Sequence, residues 1–489
     1  MALSQKRLLA WHRWIGLSLA LITCAFAVSG LSRTLTKVVH PPQGVHGPRE
    51  VMTVADGQTA LISTQQAIQA AGMADQPLAA LRLRSLHGIP HYQIIGAAPA
   101  RGPAAPAMGD LGINPNVAWV NASSGELLTD GDRQVALAIA SRELRQPVIV
   151  GQRLDAFDYE YVFIQRLLPV WRIAEADNPS MRITVSTVAG DISSRHPPLA
   201  QVDRSLFSLL HKFFFIKNRE LREGFAILLC LGILLLGLSA LWLSWRVWRR
   251  GALLTIRPAA RRAHLWLGLL FGGFAVIGAA SGILHTVMVY VAERPPRPNP
   301  AQALGLPPNL SPPAQLHAAG DVVELDLRQL DGIWLWRQRN IQHQVRWFAA
   351  DSDAGGDTSE AATAEISGAE ERAAILLGER VWGSAVQLQG LQTTFDNDYP
   401  FINRFLPVWR ARPVNAPGTT LYLSTDLGNL TRKLDPWDRF QARSFSWLHS
   451  WKWLPEFIRV PLLLLTSTGI IIMTLSGLWL WRPRWMRRP

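Results

Sequence analysis

Cysteine is almost absent from this chain of 489 residues: only Cys24 and Cys230 occur, each inside a long apolar run. A fold stapled by disulfides and a metal site built on thiolates are therefore excluded. Charged side chains are absent altogether from four apolar runs, at 14–32, 224–245, 263–292 and 460–481. Because about 20 apolar residues span a bilayer as a helix, we predict four transmembrane helices.

Acidic residues are also missing from the short segments that flank these runs. Three basic residues precede the first run, six fill the loop between the second and third, and four follow the last, which together equal the net charge of +13. The rest of the chain is balanced, so the excess charge is a topology signal rather than a footprint for nucleic acid. We predict that both termini and the basic loop are cytoplasmic and that no nucleic acid is bound.

The predicted organisation alternates helices with two large external segments. Its parts are the N-terminus with the first helix (1–33), the first external domain (34–210), the second helix (211–248), the basic loop (249–262), the third helix (263–292), the second external domain (293–448), and the fourth helix with the C-terminus (449–489). In a bacterium this is a multi-pass protein of the inner membrane with periplasmic domains, and the lipid bilayer is its first partner.

Both external segments combine helical and alternating patterns. In the first, 64–72 and 133–144 predict helices, and the runs around 81–95, 119–128 and 181–194 predict strands and hairpins. The second has a weaker form of the same order, with strands predicted near 333–348 and 419–432. The predicted fold class is therefore an integral membrane α-helical protein, with four transmembrane helices and two α+β external domains.

Long signatures recur in the two halves of the chain. The segment 157–172 matches 395–410 at 11 of 16 positions, and the same offset of 238 residues places Leu210-His211 on Leu448-His449. A second offset, 252 residues, places His12-x-Trp14 on His264-x-Trp266 and Ser29-Gly30 on Ser281-Gly282. We interpret the chain as an internal duplication whose histidines fall at matching places.

Repeated histidines at helix edges suit a haem-bearing electron carrier, because haem b takes neutral imidazoles from both faces of its iron. The natural pairs are His12 with His264 and His211 with His449. His285 competes for the second pair, since it lies within an apolar run where polarity is costly. Its counterpart in the first half is Arg33, a residue suited to a haem propionate. The sequence leaves this pairing open.

The histidine motifs, with Ser-Gly-Leu-Trp-Leu-Trp at 476–481, resemble those of the PepSY-associated transmembrane family. Within that family the chain is similar to the FoxB-type inner-membrane ferrisiderophore reductases. The resemblance covers the whole chain in architecture, but its specific motifs are confined to the helix edges. It implies PepSY-like periplasmic domains, one or two haem b groups, and reduction of the ferric iron that siderophores deliver.

Dinucleotide, Walker, zinc-hydrolase and nucleophile-elbow motifs do not occur in the sequence. The predicted cytoplasmic parts are too short for a flavin or nicotinamide domain, so we expect electrons from membrane quinol or from a separate cytoplasmic reductase. The expected activity is that of a ferric-chelate reductase. The alternative is a non-enzymatic PepSY scaffold that binds peptides or regulates a periplasmic peptidase.

The signature at 157–172 and 395–410 has two interpretations. Its arginines, Arg166, Arg172, Arg404 and Arg410, suit an anionic or amide-rich iron chelate. Its aromatic and acidic residues equally suit a structural clasp in which Asp158 and Asp396 form internal ion pairs with arginine. We favour the clasp, because duplicated residues in equivalent positions usually serve packing.

Overall fold

The computed structural model of the chain forms two compact units, each formed by separate stretches of sequence. The helix unit contains 1–43, 198–293 and 436–489, and the β unit contains 44–197 and 294–435. The structure describes residues 5–40, 50–52, 61–97, 116–158, 160–161, 167–252, 254–291, 304–312, 320–350, 364–400, 403 and 405–481.

Four helices of the helix unit are long and apolar enough to cross a membrane, as the sequence predicts. They are α1 (Gln5–Val39), α5 (Arg219–Arg249), α6 (Ala259–Val291) and α9 (Glu456–Trp481). Asn218 caps α5 by accepting a hydrogen bond from the backbone N–H of Leu221 at 2.9 Å. Most of their side chains stay outside the protein interior, which is how lipid-facing helices differ from a soluble core.

The four helices form a ring in which α1 contacts α5 and α9, and α6 contacts the same two. Small residues allow the close approaches. A Cβ added to Gly237 would lie 2.6 Å from Val276, and one added to Gly469 would lie 2.4 Å from the ring of Phe271. Close helix packing of this kind is typical of membrane bundles.

Short helical segments lead into α5 and α9 and belong to the same unit. They are α4 (Pro198–Leu206), a π-helical turn (Phe207–His211) and α8 (Pro436–Leu448). After each Leu-His pair the chain passes through a bulky residue with positive φ, Phe213 at 50° and Trp451 at 47°. These residues are 238 positions apart, so the same left-handed turn follows both histidines, at a conformation that is costly for an aromatic residue.

The β unit is centred on one six-stranded antiparallel sheet to which both external segments contribute. Its order is β10-β9-β8-β1-β2-β3, with β1 (Leu78–Leu86), β2 (Ile89–Gly96), β3 (Val117–Asn121), β8 (Val322–Leu330), β9 (Ile333–Asn340) and β10 (Val345–Ala349). The halves meet where β1 pairs with β8, in a register that sets Leu83 opposite Leu325. One sheet thus joins two segments that the sequence presented as separate domains.

Each half adds a helix and a four-stranded antiparallel sheet. The first has α3 (Gly131–Leu144) against β4 (Val148–Leu154), β5 (Val170–Glu175), β6 (Arg182–Ser186) and β7 (Asp191–His196). The second has α7 (Ala369–Trp382) against β11 (Val386–Gln392), β12 (Val408–Pro413), β13 (Thr420–Ser424) and β14 (Asn429–Leu434). A further helix, α2 (Thr64–Ala70), packs beside β1 and carries a capping box at Ser63.

Buried charges cross the seam between β1 and β8. Arg84 pairs with Glu324, which also accepts from Arg339 at 2.6 Å, and Arg339 in turn contacts Asp426. Arg337 donates to both Asp426 and Glu370. Because Arg84, Glu324, Arg337 and Arg339 are buried, removing one member leaves a buried charge less well compensated. The network therefore fixes the register of the seam.

Candidate functional site

The rings of His12 and His264 face each other between α1 and α6. Their centroids are 6.5 Å apart, with an angle of 58° between the ring planes. Both histidines lie near the N-terminal ends of their helices. The structure thus brings together two residues that are 252 positions apart and occupy equivalent places in the repeat.

Each ring of this pair has a serine hydroxyl at its Nδ1 atom. His12 Nδ1 lies 2.9 Å from Ser239 Oγ, and His264 Nδ1 lies 2.8 Å from Ser476 Oγ. Ser239 belongs to α5 and Ser476 to α9. Each histidine of this pair therefore contacts the last long helix of its own half of the chain. Gly477 makes room for one of the rings, because a Cβ there would lie 3.1 Å from His264 Cε1.

His211 and His449 form the second pair, at the opposite end of the bundle. Their centroids are 6.1 Å apart and the planes meet at 82°. Each imidazole is stacked on the phenylalanine four residues before it, His211 on Phe207 and His449 on Phe445, with both centroid distances at 4.7 Å. Stacking on a ring and the left-handed turn that follows restrict how each imidazole can rotate.

The Nδ1 atoms of this second pair have unequal surroundings. His211 Nδ1 lies 2.9 Å from Ser29 Oγ. His449 Nδ1 is buried without a hydrogen bond of normal geometry among the described residues, and so is the hydroxyl of Ser281, the counterpart of Ser29. The first half therefore completes a contact that the second half leaves unmade.

Both rings of the second pair are neutral. Burial, together with His449, Lys212 and Arg33, lowers the pKa of His211 to about 3. Burial also lowers the pKa of His449 below its usual value, although the carbonyl of Gly278 partly opposes this. Neutral imidazole is the form that can donate a lone pair to a metal ion.

The ring separations match what one metal ion between two imidazoles requires. A metal–imidazole bond is about 2.0 Å long and a ring nitrogen lies about 1.2 Å from the ring centre, so two such ligands on opposite sides of one ion have centroids about 6.4 Å apart. The observed values are 6.5 and 6.1 Å.

The donor set fits haem better than a bare metal ion. Each pair offers two nitrogens, whereas a protein-only site for a transition metal takes about four ligands. In the described part of the chain, no group of three or more His, Cys, Asp or Glu side chains converges on one point. Haem brings its own four nitrogens and needs only the two axial positions. The open space around a Cβ at Gly278 is a feature that a bound group would use.

His285 lies beside the second pair but has a different partner. Its ring is 4.5 Å from Phe445, and its Nδ1 contacts the amide of Gln441. Arg33, its counterpart, lies 5.3 Å above Phe207 and donates to Asp203 at 2.7 Å. Asp203 and Gln441 are themselves 238 positions apart. The structure therefore pairs equivalent residues in both halves, as an ion pair in one and as a neutral contact in the other.

The repeated signature forms a brace within the β unit. Tyr161 OH donates to the carbonyl of Leu167 at 2.9 Å, and Tyr399 OH donates to that of Phe405 at 3.0 Å. Arg172 donates to Asp158 at 2.6 Å. These contacts are those of the clasp interpretation. Arg410 keeps a buried Nε atom without a partner, and Arg166 and Arg404 lie outside the described residues.

A small cavity of about 50 Å³ lies next to the repeated signature. Leu167 and Phe405 line it, each from a different copy of the signature, together with seam residues Arg82, Arg84, Glu324 and Asp426. It has room for a few water molecules. The cavity adjoins the buried charges of the seam.

Sequence reasoning identified the histidines but missed the residues that hold them. Ser29 and Ser281 were visible as part of the repeated Ser-Gly pair, yet they carried no assigned role. Ser239 and Ser476 are 237 positions apart, one short of the main offset, so an ungapped alignment hides their equivalence. The left-handed Phe213 and Trp451 give no signal in sequence at all.

Comparison with known proteins adds no family assignment. No protein-family model matches the chain, and no curated protein is similar enough to it to be matched.

Proposed function

We propose that the protein is a haem b electron conduit of the bacterial inner membrane that reduces ferric siderophores in the periplasm. The observation that supports this most is the pair of facing imidazoles at each end of the bundle, at 6.5 and 6.1 Å, each with one ring from either half of the chain. The PepSY-like character of the β unit and its origin by duplication are part of the same proposal. They are supported by the order that both halves share: three strands of the central sheet, a helix, a four-stranded sheet, and a short helix before the last long helix.

The orientation in the membrane follows from charge. The His12–His264 pair lies near the N-terminal ends of α1 and α6, next to the basic residues that open α1 and those of the 249–262 loop. Since such residues favour the cytoplasmic side, this pair is the cytoplasmic one and the His211–His449 pair is the periplasmic one. The β unit is then periplasmic.

The chain's own residues would hold two haem groups, one between each pair of rings. When bound, haem supplies the one-electron chemistry of its iron. The histidines fix its position, the neutral state of His211 and His449 keeps their lone pairs available, and the apolar helices exclude water. Lys212, which lies near the ring of Phe207, would provide positive charge for an anionic edge, whereas the charge of Arg33 is paired with Asp203.

The distance between the pairs is set by the length of α1. Ser29, which contacts His211, lies 17 residues after His12, so the pairs are about 25 Å apart along the helix axis. Several aromatic residues lie within this interval, among them Phe26, whose ring is 5.1 Å from that of His211, and Phe271, which packs on Gly469. They fill the low-dielectric space between the two sites.

The substrate enters on the periplasmic side and the donor acts on the other. Hydroxamate and catecholate oxygens are hard ligands that suit Fe(III) and hold Fe(II) weakly, so a one-electron reduction loosens the metal. The electron comes from membrane quinol or from a cytoplasmic reductase. No covalent chemistry on the siderophore is required.

Haem content of the purified full-length protein tests the proposal. We expect two haem b groups per chain in a pyridine haemochrome measurement. His12→Ala and His264→Ala should each remove one group, and His211→Ala and His449→Ala should each remove the other. His87→Asn, in an exposed left-handed turn of the β unit, is the control and should retain both.

Reduction is tested on protein that carries haem. Anaerobically reduced protein mixed with a ferric hydroxamate should be reoxidised while an Fe(II) chelator traps the released iron. A wild-type protein purified under haem-replete conditions without Soret absorbance would remove the redox proposal.

A further inference from the structure

The serines beside the histidines share one hydrogen-bonding geometry. The hydroxyl of Ser239 donates to the carbonyl of Leu236 at 2.8 Å, that of Ser476 to Met473 at 2.7 Å, and that of Ser29 to Phe26 at 2.8 Å. In each case the acceptor is the residue three positions earlier on the same helix. A serine hydroxyl has a single proton, and here that proton is already committed to the helix backbone.

Each of these hydroxyls can then meet a histidine only as an acceptor. His12, His264 and His211 approach them with Nδ1 at 2.9, 2.8 and 2.9 Å. The proton of the neutral ring must therefore be on Nδ1 in all three. His264 Nδ1 also lies 3.2 Å from the carbonyl of Met473, an atom that can only accept. Nε2 is left with its lone pair, directed to the other side of the ring.

The fourth histidine has the same neighbours but not the same contact. Ser281 corresponds to Ser29 at the offset of 252, and His449 corresponds to His211 at the offset of 238. Ser281 is 1% exposed, and its hydroxyl and His449 Nδ1 are both buried without a partner of normal geometry in the described part of the chain. Leaving two buried polar groups unpaired is unfavourable. A second arrangement that pairs them is therefore favoured.

We propose that Ser239, Ser476, Ser29 and Ser281 are positioning residues that set the tautomer of the four histidines and keep every Nε2 free for a metal. The identity of the metal group as haem rests on the proposed function, whereas the tautomer does not.

The tautomers can be measured without any bound group. Full-length protein labelled with ¹⁵N-histidine and purified without haem is examined by magnetic-resonance spectroscopy, which distinguishes Nδ1–H from Nε2–H rings. We expect His12, His264 and His211 as Nδ1–H, and His449, which meets the carbonyl of Gly278, as Nδ1–H as well. Nε2–H at any of the four would overturn the proposal even if haem binds normally.

Serine variants then test the positioning role. Loss of such an outer hydrogen bond typically weakens metal binding 10- to 100-fold. We therefore expect Ser239→Ala, Ser476→Ala, Ser29→Ala and Ser281→Ala each to weaken haem binding at least about 10-fold and to raise the midpoint potential of the affected site. Ser239→Thr and Ser476→Thr, which keep the hydroxyl, should restore both quantities.

Ser18→Ala is the matched control, because its hydroxyl donates to the carbonyl of Trp14 on the same helix but contacts no histidine. Unchanged haem affinity and potential in the four alanine variants would contradict the positioning role while leaving the proposed function intact. If the wild-type protein binds no haem, the proposed function fails, and the tautomers still decide whether the serines set the rings.

Discussion

The two halves of the chain place different chemistry around equivalent histidines. Beside His211, the buried Asp203 accepts from Arg33 and from Ser32. Beside His449, Gln441 and His285 make an uncharged contact. Both Arg33 and His285 lie against the phenylalanine on which the neighbouring histidine is stacked. The repeat thus keeps the geometry that holds the imidazole and varies the charge around it.

The largest expected effect separates the two histidines of the second half. His449→Ala should remove one haem group from the purified protein, because the ring that faces His211 at 6.1 Å is lost. His285→Ala should leave the haem content unchanged, since its ring contacts Phe445 and Gln441 instead. A haemochrome measurement of the haem content of both variants tests this prediction. Equal loss in both would mean that His285 is an axial ligand and that the facing rings do not define the pair.

The β unit offers a second comparison, between Glu370 and Asp132, which are 238 positions apart. Glu370 is one of two carboxylates that hold Arg337, whose side chain is 2% exposed, and Asp426 is the other, so Glu370→Gln should lower the free energy of unfolding by about 2–3 kcal/mol. Asp132 accepts from the indole N–H of Trp171 at 2.7 Å, and Asp132→Asn should cost about 1 kcal/mol. Denaturant unfolding of the full-length protein compares them, and similar costs would show that the seam network adds nothing.

The contribution of Glu370 to the free energy of unfolding should also depend on pH. Burial opposes ionisation, but the charge of Arg337 holds the pKa of Glu370 below its ordinary value. The unfolded state therefore binds a proton more readily, and the stabilisation present above the ordinary carboxyl pKa is lost as pH falls through the lower folded value. Wild-type protein should lose stability in this acidic window, and Glu370→Gln should lose less. Parallel acid curves for the two proteins would refute this.

Exchanging the pairs beside the histidines tests whether the halves are interchangeable. Arg33→Ala leaves Asp203, with 1% exposure of its side chain, without its cation and should cost about 2–3 kcal/mol. The double change Arg33→His with Asp203→Gln installs the pair of the second half and should cost less than the single change. Thermal unfolding midpoints measure both. A double variant as unstable as the single one would show that the surroundings, rather than the pair, differ between the halves.

The smallest effect concerns the space around His264. Gly477→Ala adds a Cβ that would lie 3.1 Å from His264 Cε1, so the ring must shift by a few tenths of an ångström. We expect the free energy of haem binding at this pair to become less favourable by about 1 kcal/mol, a value typical of mild overpacking. Gly273→Ala, at a position with open space on the neighbouring helix α6, is the control. Equal behaviour of the two variants would mean that Gly477 does not position the ring.

Sequence patterns located regular elements well where the local signal was strong. The predicted helix at 133–144 is α3, the runs at 81–86 and 91–95 lie in β1 and β2, and the hairpin at 419–432 is β13 with β14. α4, α8 and the central strand β8 were not predicted. The first two are short amphipathic segments next to longer signals, and β8 is completed by its pairing with β1, a strand about 240 residues away.

By itself the sequence determined the four helices, the charge asymmetry and the matching positions of the histidines, because length, hydropathy and repeats are local properties of a chain. Only the tertiary structure decided which imidazoles face each other, that His285 contacts Gln441, and that serines from neighbouring helices meet three of the Nδ1 atoms. Those facts depend on the rotation of each helix and on left-handed turns at Phe213 and Trp451, which arise when helices pack together.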